Sequence, residues 1–375
     1  MLQRDSVIQI LQTKMNRGKP VSDIIEDLVD DLVEEKCVLL IGPEIFQVEG
    51  KSLIRYTHEK LIEKSPDDIL YYYEQESLFL FKDDDAKLNA PRRIKRIYRD
   101  IEIEEPIFKK ILEIPFHLII SLNPDTFLTN LASKDKYGIS HQFAHFRFNG
   151  EGTAELAEPR KAHPLIYNLC GCLSEDESLV LDYEDLFQLL QAVLGPNGLP
   201  NKIKTTLRKA RSFLFLGFDF EKWYSQLLLQ LLTGERPGRR KLAINTQVGN
   251  NEARDFLLHQ FKLEFLDKKQ TFFKLFYEEC KKQGITRALK KPGDFPAHNK
   301  KELKQLISKN EIKESIKQLK SATIGTSLSD QIILIEGRHH NWQTKYHGGT
   351  LYPRESEVIL NQIREDLINI VNQMV

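Results

Sequence analysis

Short apolar runs that alternate with helical patterns constrain the fold of this chain more than any other feature. The runs occupy residues 37–41, 118–122, 165–169, 213–216, 242–244 and 263–266. Patterns of helical period lie between most of them, at 182–194, 200–210, 220–233, 250–258 and 269–283. Strands that are apolar throughout are typical of a parallel sheet covered on both faces. The alternation therefore predicts an α/β, doubly wound, Rossmann-like and mainly parallel sheet.

Three further segments predict the domain organisation. Residues 52–115 are mostly helical by pattern and long for one crossover, which predicts an inserted helical lobe. Residues 284–298 are polar and contain helix-stopping Gly and Pro, as in a linker. After this linker, the apolar residues recur at helical spacing only. The prediction is an α/β domain over 1–283, a linker over 284–298 and a small all-helical domain over 299–375.

Composition narrows the possible partners. Lys+Arg and Asp+Glu both number 54, so no global charge attracts nucleic acid or an anionic membrane. The four cysteines form no C-x-x-C pair, which argues against a zinc ribbon and against a disulfide framework. No signal-peptide pattern and no apolar stretch of about 20 residues is found. We therefore expect a cytoplasmic protein with no zinc, no nucleic-acid partner and no membrane partner.

Ligands of open α/β sheets bind at the carboxyl ends of the strands, so the residues that follow each strand are candidates. Gly42-Pro43-Glu44 follows the first run, where glycine would let the backbone approach a phosphate or would simply form a turn. Asn123-Pro124-Asp125 follows the second run. Its amide and carboxylate can hydrogen-bond a ribose or position a water, or can cap the next helix as an Asx turn.

The remaining strand ends leave similar alternatives. Cys170-Gly171-Cys172 is either half of a metal site or a pair of small buried thiols, and we favour the thiols. Gly217 and Asn245 are either walls of a site or parts of ordinary turns. Near the C-terminus, Arg338, His339, His340 and His347 suggest a metal site, but we interpret them as solvated loop residues. No metal site is predicted.

Taken in order, these landmarks resemble the sirtuin-like family, in its shorter zinc-free branch that is common in prokaryotic antiviral defence. The similarity extends over about residues 20–283 and rests on six matching segments. Gly42-Pro43-Glu44 stands at the family's nucleotide loop, and Cys170-Gly171 stands at its His-Gly pair at a strand end. The other four segments are Asn123–Asp125, 178–186, Gly217-Phe218-Asp219 and Ile244-Asn245.

The resemblance implies a site for NAD or a related nucleotide. It assigns catalytic positions to Asn123, Asp125 and Cys170. It assigns cofactor-binding positions to Gly42, Glu44, Gly171, Gly217 and Asn245. Two departures matter: Cys170 stands where the family has the histidine that acts as general base, and Glu44 replaces a glycine of the nucleotide loop. A thiol is mostly protonated at neutral pH, and a carboxylate opposes a pyrophosphate.

The C-terminal segment resembles the effector-associated adaptor domain numbered eleven. The similarity rests on 303–319, on Ile332 through His340, on Gly348-Gly349-Thr350 and on the final long helical stripe. Such domains join conflict proteins by like-with-like contacts, which implies a partner with a similar helical domain. A homo-oligomer is also possible.

Three hypotheses follow from the sequence. The first is a sirtuin-like defence component whose degenerate nucleotide site hydrolyses NAD little or not at all. The second is an active NAD glycohydrolase in which another residue replaces the histidine. The third is a structural scaffold without a ligand.

Overall fold

Two compact units make up the protein, one formed by Met1–Leu131 with Ser140–Arg287, the other by Ala132–Ile139 with Ala288–Val375. The computed structural model describes residues 20–101, 106–133, 136–148, 156–195, 198–234, 237–244, 251–266, 271–289, 297–322, 328–348 and 351–373.

The first unit is organised around a parallel sheet. The strands of the described residues are β1 (Cys37–Ile41), β2 (Gln47–Val48), β3 (Lys51–Ser52), β4 (Ile69–Tyr73), β5 (Leu78–Phe81), β6 (Leu118–Ser121), β7 (Gln142–His145), β8 (Leu165–Asn168), β9 (Ser212–Leu216), β10 (Arg240–Ile244) and β11 (Leu263–Phe265). Seven of them form one sheet in the order β11-β10-β9-β1-β6-β8-β7, and every pairing is parallel. The predicted α/β class is confirmed.

Helices surround this sheet. Along the chain up to Arg287 they are α1 (Val21–Val33), α2 (Leu53–Lys64), α3 (Asp84–Arg99), α4 (Pro106–Glu113), α5 (Phe127–Ala132), α6 (Tyr183–Leu194), α7 (Asn201–Lys209), α8 (Trp223–Thr233), α9 (Asn251–Phe261) and α10 (Thr271–Lys282). Those after β8 begin and end close to the helical patterns in the sequence. Helix α6 starts at a capping box in which the Asp182 carboxylate accepts from the Asp185 backbone N–H.

Strand β1 lies at the centre of the sheet, and all five of its residues are buried. Val38 and Leu40 belong to the apolar cluster that contains residues of α6, α7 and α8. The Cys37 thiol faces away from that cluster, near Asp31 of α1 and Cys280 of α10. Because successive side chains point to opposite faces, the strand needs apolar residues throughout, as its sequence provides.

The inserted segment differs in detail from the sequence prediction. It contains α2, α3 and α4, as expected of a helical lobe, and also two antiparallel hairpins, β2–β3 and β4–β5. Strand β7 was not predicted either. Its four residues, Gln142 to His145, are all half-buried and mixed in polarity, so they make no continuous apolar run.

The C-terminal unit contains four helices with their own core. They are α11 (Ala297–Ser308), α12 (Ile312–Ala322), α13 (Ser329–His347) and α14 (Pro353–Gln373). Their buried residues are Leu303, Ile307, Ile312, Ile316, Leu319, Ile332, Ile335, Ile363, Leu367, Ile370 and Val371. The predicted all-helical character is confirmed. The interpretation of Arg338, His339, His340 and His347 as loop residues is wrong, because all four lie within α13. In this helix His339 is buried and stacks on Trp342.

Arg287, the last residue of the first unit, is fixed by backbone carbonyl groups. Its guanidinium group donates to the carbonyl oxygens of Leu112, Ile114, Phe116 and Lys161. Burial lowers the pKa of Arg287 to about 10. These bonds tie the end of α4 and the loop between α4 and β6 to one guanidinium group, and give the partly buried carbonyls of Leu112, Ile114 and Phe116 a charged donor.

We expect Arg287→Ala to destabilise the first unit by roughly 3–5 kcal/mol, because several buried carbonyl groups lose a charged donor. The chain contains two tryptophans, Trp223 and Trp342. In a Trp342→Phe background the fluorescence of Trp223 reports urea unfolding of the first unit alone. Arg92→Ala, at an arginine whose side chain is 73% exposed, is the control and should change stability by less than about 0.5 kcal/mol. Equal effects of the two substitutions would contradict the role of Arg287.

Candidate active site

Four of the predicted site residues follow adjacent strands at the carboxyl edge of the sheet. Gly42 follows β1, Asn123 comes two residues after β6, Cys170 two after β8, and Gly217 follows β9. These strands are neighbours in the order β9-β1-β6-β8. Asn245 follows β10 but lies outside the described residues. The loops that follow these four strands therefore meet at one edge, because the carboxyl ends of parallel strands lie on the same side of the sheet.

A cavity lies between this edge and the inserted lobe. Pro43, Leu122, Pro124, Cys170 and Lys222 line it from the strand loops and the start of α8. The lobe contributes Ile54, Thr57, His58, Ser77, Leu78, Ile94 and Tyr98, and the remaining wall consists of Leu179, Val180, Leu181, Leu186, Leu189, Tyr224, Ser225 and Leu228. A mostly apolar cavity with a few polar groups is the usual form of a small-molecule site.

Cys170 lines this cavity and is only partly buried, whereas the other three cysteines are buried. Removal of the thiol from water raises the pKa of Cys170 to about 12, although the nearby positive charge of Lys222 acts in the opposite direction. The side chain is thus a neutral thiol at physiological pH. Such a thiol is a weak general base.

Asn123 and Asp125 line a different, smaller cavity together with Ser121 and Asn168. The neighbours of Asn123 on either side, Leu122 and Pro124, line the first cavity. The Asn123 side chain donates to the carbonyl oxygen of Gly42 at 3.4 Å. The structure therefore divides the three predicted catalytic side chains between two cavities.

The Asp125 carboxylate is buried, and only one of its two oxygens has a hydrogen-bond partner among the described residues. One oxygen accepts from the backbone N–H of Phe127 at 3.0 Å, as in an Asx turn. The other oxygen is buried and has no hydrogen-bond partner among the described residues. Burial raises the pKa of Asp125 from its ordinary value to about 6, against the opposing effect of the Phe127 N–H.

Gly42 and Gly217 bring two loop backbones into direct contact. The Gly42 N–H donates to Leu216 and the Glu44 N–H to Gly217, at 2.9 and 2.8 Å. A Cβ on Gly42 would lie 2.3 Å from the Gly217 oxygen, and one on Gly217, whose φ is +70°, would lie 2.4 Å from the Ile45 nitrogen. Both glycines are therefore required by packing, whatever else they bind.

Gly171 has a comparable role beside Cys170. Its φ is +85°, and a Cβ there would lie 1.9 Å from the carbonyl oxygen of Ser178. The close approach places segment 178–181 against the turn after β8, and Leu179 to Leu181 line the cavity. The glycine therefore shapes the cavity wall through its backbone.

Glu44, Asp219 and Lys222 form a charged group at the edge of the cavity. Lys222 is buried, and its Nζ lies 3.8 Å from an Asp219 oxygen. Burial lowers the pKa of Lys222, while the negative charges of Asp219, Glu44 and Glu76 oppose that effect. Burial raises the pKa of both Glu44 and Asp219. Carboxylates outnumber the ammonium group here, which disfavours a polyanion.

His58 is a cavity residue that the sequence did not reveal. It lies on α2 of the inserted lobe, 4% exposed, and its Nδ1 lies 3.2 Å from the Tyr72 hydroxyl. Burial lowers the pKa of His58 to about 3, so the imidazole is neutral. Ser77, Lys222 and Tyr224 were also missed. Lys222 could have been found by reading five residues beyond Gly217, but no sequence pattern links His58 or Ser77 to the sheet edge.

Comparison with protein families agrees with the domain order predicted from the sequence. A family model described as SIR2-like domain matches residues 117–266. A second, described as effector-associated domain 11, matches residues 298–375. A search of curated proteins finds no match to the chain. The chain thus carries a SIR2-like domain followed by an effector-associated domain 11. SIR2-like domains bind NAD-type ligands, and this pairing indicates a component of a conflict system.

No helix within the described ranges is both long enough and apolar enough to cross a bilayer. The described residues contain no group of three or more His, Cys, Asp or Glu side chains that could hold a metal ion.

We expect Asp125→Asn to gain stability relative to the wild type as the pH rises. The folded-state pKa of Asp125 lies above its unfolded value, so the wild type is favoured below about pH 4 and loses this contribution as the pH rises through about 6. A shift of about two pKa units corresponds to roughly 3 kcal/mol. Urea unfolding of both proteins between pH 4 and 8 measures the difference.

Asp67→Asn is the matched control, because Asp67 is exposed. Its difference from the wild type should stay nearly constant over the same pH range. If the Asp125→Asn difference is equally constant, the carboxyl group is not destabilised by burial in the folded state.

Proposed function

We propose that the first unit is a degenerate sirtuin-like domain that keeps a pocket for NAD or a related nucleotide but hydrolyses it little or not at all. The observation that carries this proposal is the neutral Cys170 thiol, which lines the cavity at the position of the family's histidine. A protonated thiol does not accept the proton that the general base must remove from the ribose.

The charges at the cavity support the same conclusion. Glu44, Glu76 and Asp219 all lie near Lys222, so the ammonium group already has acidic neighbours. A pyrophosphate that approached this edge would meet several acidic groups beside Lys222, which repel it to the extent that they are ionised. The effect on affinity depends on how far the half-buried Glu44 and Asp219 are protonated, and burial favours their neutral forms.

His58 favours a second candidate, an active NAD glycohydrolase. Its neutral imidazole lines the same cavity as Cys170 and could accept a proton. Its pKa of about 3 makes it a much weaker base than an ordinary histidine. Because of this low basicity, we place the active enzyme second.

Purified full-length protein incubated with NAD should release nicotinamide and ADP-ribose at the rate of the protein-free control. Cys170→His alone should stay at that rate, because Glu44 remains at the nucleotide loop. The double variant Cys170→His, Glu44→Gly should show measurable turnover, read by chromatography of both products. Rescue by the single substitution would mean that the charge of Glu44 is unimportant.

The wild-type result separates the two candidates. Rapid turnover that is lost in Asn123→Ala would contradict the degenerate site. Loss of that turnover in His58→Gln, which keeps a polar group beside Tyr72, would assign the base to His58. Calorimetric titration with NAD tests the pocket itself and does not depend on turnover.

The proposal for the C-terminal unit is that it couples the first unit to a partner protein with a similar helical domain, most simply one encoded nearby, in antiviral defence in the cytoplasm. Ile333 and Leu334 of α13 are 51% and 68% exposed, while the flanking Ile332 and Ile335 fill the core. Adjacent exposed aliphatic residues provide an apolar face that folding of the unit does not use.

We expect Leu334→Glu to weaken binding of the full chain to a purified partner domain of this kind at least tenfold. A charge inside an apolar contact has to be desolvated, whereas the fold of the unit should be unaffected because Leu334 is exposed. Gln331→Glu, at an exposed polar position of the same helix, is the matched control and should bind normally. Circular dichroism verifies the helix content. Unchanged binding of Leu334→Glu would exclude this face.

A further inference from the structure

The tip of the β4–β5 hairpin forms part of the cavity wall and is held by residues at the start of α8. Ser77 and Leu78 of the hairpin line the cavity. The buried Lys222 Nζ donates to the Ser77 hydroxyl at 2.8 Å. The Tyr224 hydroxyl donates to the backbone carbonyl of Glu76 at 3.0 Å. Both bonds therefore join the tip to the opposite wall of the cavity.

The hairpin is anchored beside its tip and has an exposed outer face. Two residues after Ser77, the Phe79 ring is buried, and its N–H donates to the Leu181 carbonyl at 2.9 Å. On the outer face, Leu70 and Tyr71 are 62% and 59% exposed. Ser77 has a φ of +58°, an uncommon conformation for a residue with a side chain. Glu74 and Gln75 of the turn are exposed and Glu76 is half-buried, so none of the three places an apolar side chain in the core. Such a segment opens locally more easily than its surroundings.

We propose that residues 74–77 form a gate over the cavity, and that Lys222 and Tyr224 are the positioning residues that hold it closed. The hydrogen bonds from these two side chains determine how often small molecules reach Cys170. The gate belongs to the cavity itself, so the proposal stands whether or not the cavity accepts NAD.

Lys222 suits this role because its buried ammonium charge has a carboxylate neighbour that does not belong to the tip. Its ammonium group has the Ser77 hydroxyl at 2.8 Å and the Asp219 carboxylate at 3.8 Å. Opening of the tip exchanges the Ser77 contact for water and leaves the Asp219 contact in place. The tip can therefore open without leaving a buried charge unpaired.

The chain contains a natural reporter for the gate. Cys170 lines the cavity, while Cys37, Cys172 and Cys280 are buried elsewhere in the described structure. The rate at which iodoacetamide modifies each cysteine of the folded, full-length protein can be followed by mass spectrometry of its peptides. Modification of Cys170 alone measures opening of the gate, and modification of the other three measures global unfolding.

We expect Tyr224→Phe to accelerate modification of Cys170 about fivefold, as the loss of one hydrogen bond implies. Ser77→Ala should accelerate it at least as much, because the Ser77 side chain hydrogen-bonds Tyr72 as well as Lys222. The double variant should exceed tenfold. The rates of Cys37, Cys172 and Cys280 should stay within twofold of wild type. Both substitutions remove only a hydroxyl group.

Lys222→Met separates opening from simple electrostatics. The charge of Lys222 favours the thiolate of Cys170, so its removal without opening would slow modification, since the thiolate is the reactive form. Acceleration in this variant therefore reports an opened gate. The single-hydroxyl variants keep the test valid if Lys222→Met does not fold.

Glu74→Gln is the matched control at the tip. Glu74 pairs with Arg55, but both side chains are at least half exposed, and such pairs contribute little. The substitution should change the rate of Cys170 modification by less than twofold. Three results would overturn the proposal. In the first, Cys170 is modified in Ser77→Ala and Tyr224→Phe at the wild-type rate. In the second, modification of all four cysteines accelerates equally, and in the third Glu74→Gln accelerates modification of Cys170 as much as Ser77→Ala does.

Discussion

The direct contact between the backbones of Gly42 and Gly217 fixes the carboxyl edge on which the rest of the site depends. Two backbone hydrogen bonds join the loops after β1 and β9, and neither loop leaves room for a Cβ at the contact. This contact sets the positions of Glu44 and of the chain that leads to Lys222. A glycine in the nucleotide loop is therefore needed for the fold itself, and its presence alone is no argument that a nucleotide binds.

The sequence predicts those parts of the fold that depend on local pattern. Strands β1, β6, β8 and β9 are buried along their whole length, so each appears as a continuous apolar run. Strand β7 is half-buried and has no such run. Strand β4 is missed for a similar reason, because Leu70 and Tyr71 are exposed and its pairing with β5 is irregular. Partial burial removes the periodic signal that the prediction needs.

The residues of the candidate site likewise fall into those that the sequence predicts and those that it does not. Residues that follow strands can be placed from the sequence because a parallel sheet gathers its carboxyl ends at one edge. His58 and Ser77 reach the cavity only because the inserted lobe packs against that edge. The packing of an insertion depends on contacts between residues far apart in the chain. Pattern also does not predict that Asn123 and Cys170 line separate cavities, since that depends on which way each side chain points from its loop.

Lys222 connects the electrostatics of the site with access to it. It is the cation that a phosphate at this edge would meet, yet its hydrogen bond goes to Ser77 and its nearest carboxylate is Asp219. A ligand that needs this ammonium group must displace the hairpin tip and compete with a carboxylate. Its apparent affinity is then reduced by the fraction of molecules in which the tip is open. If the cavity takes a nucleotide as proposed, the contacts that close it would also lower its affinity for that nucleotide, without any change at the positions that match the sirtuin-like pattern.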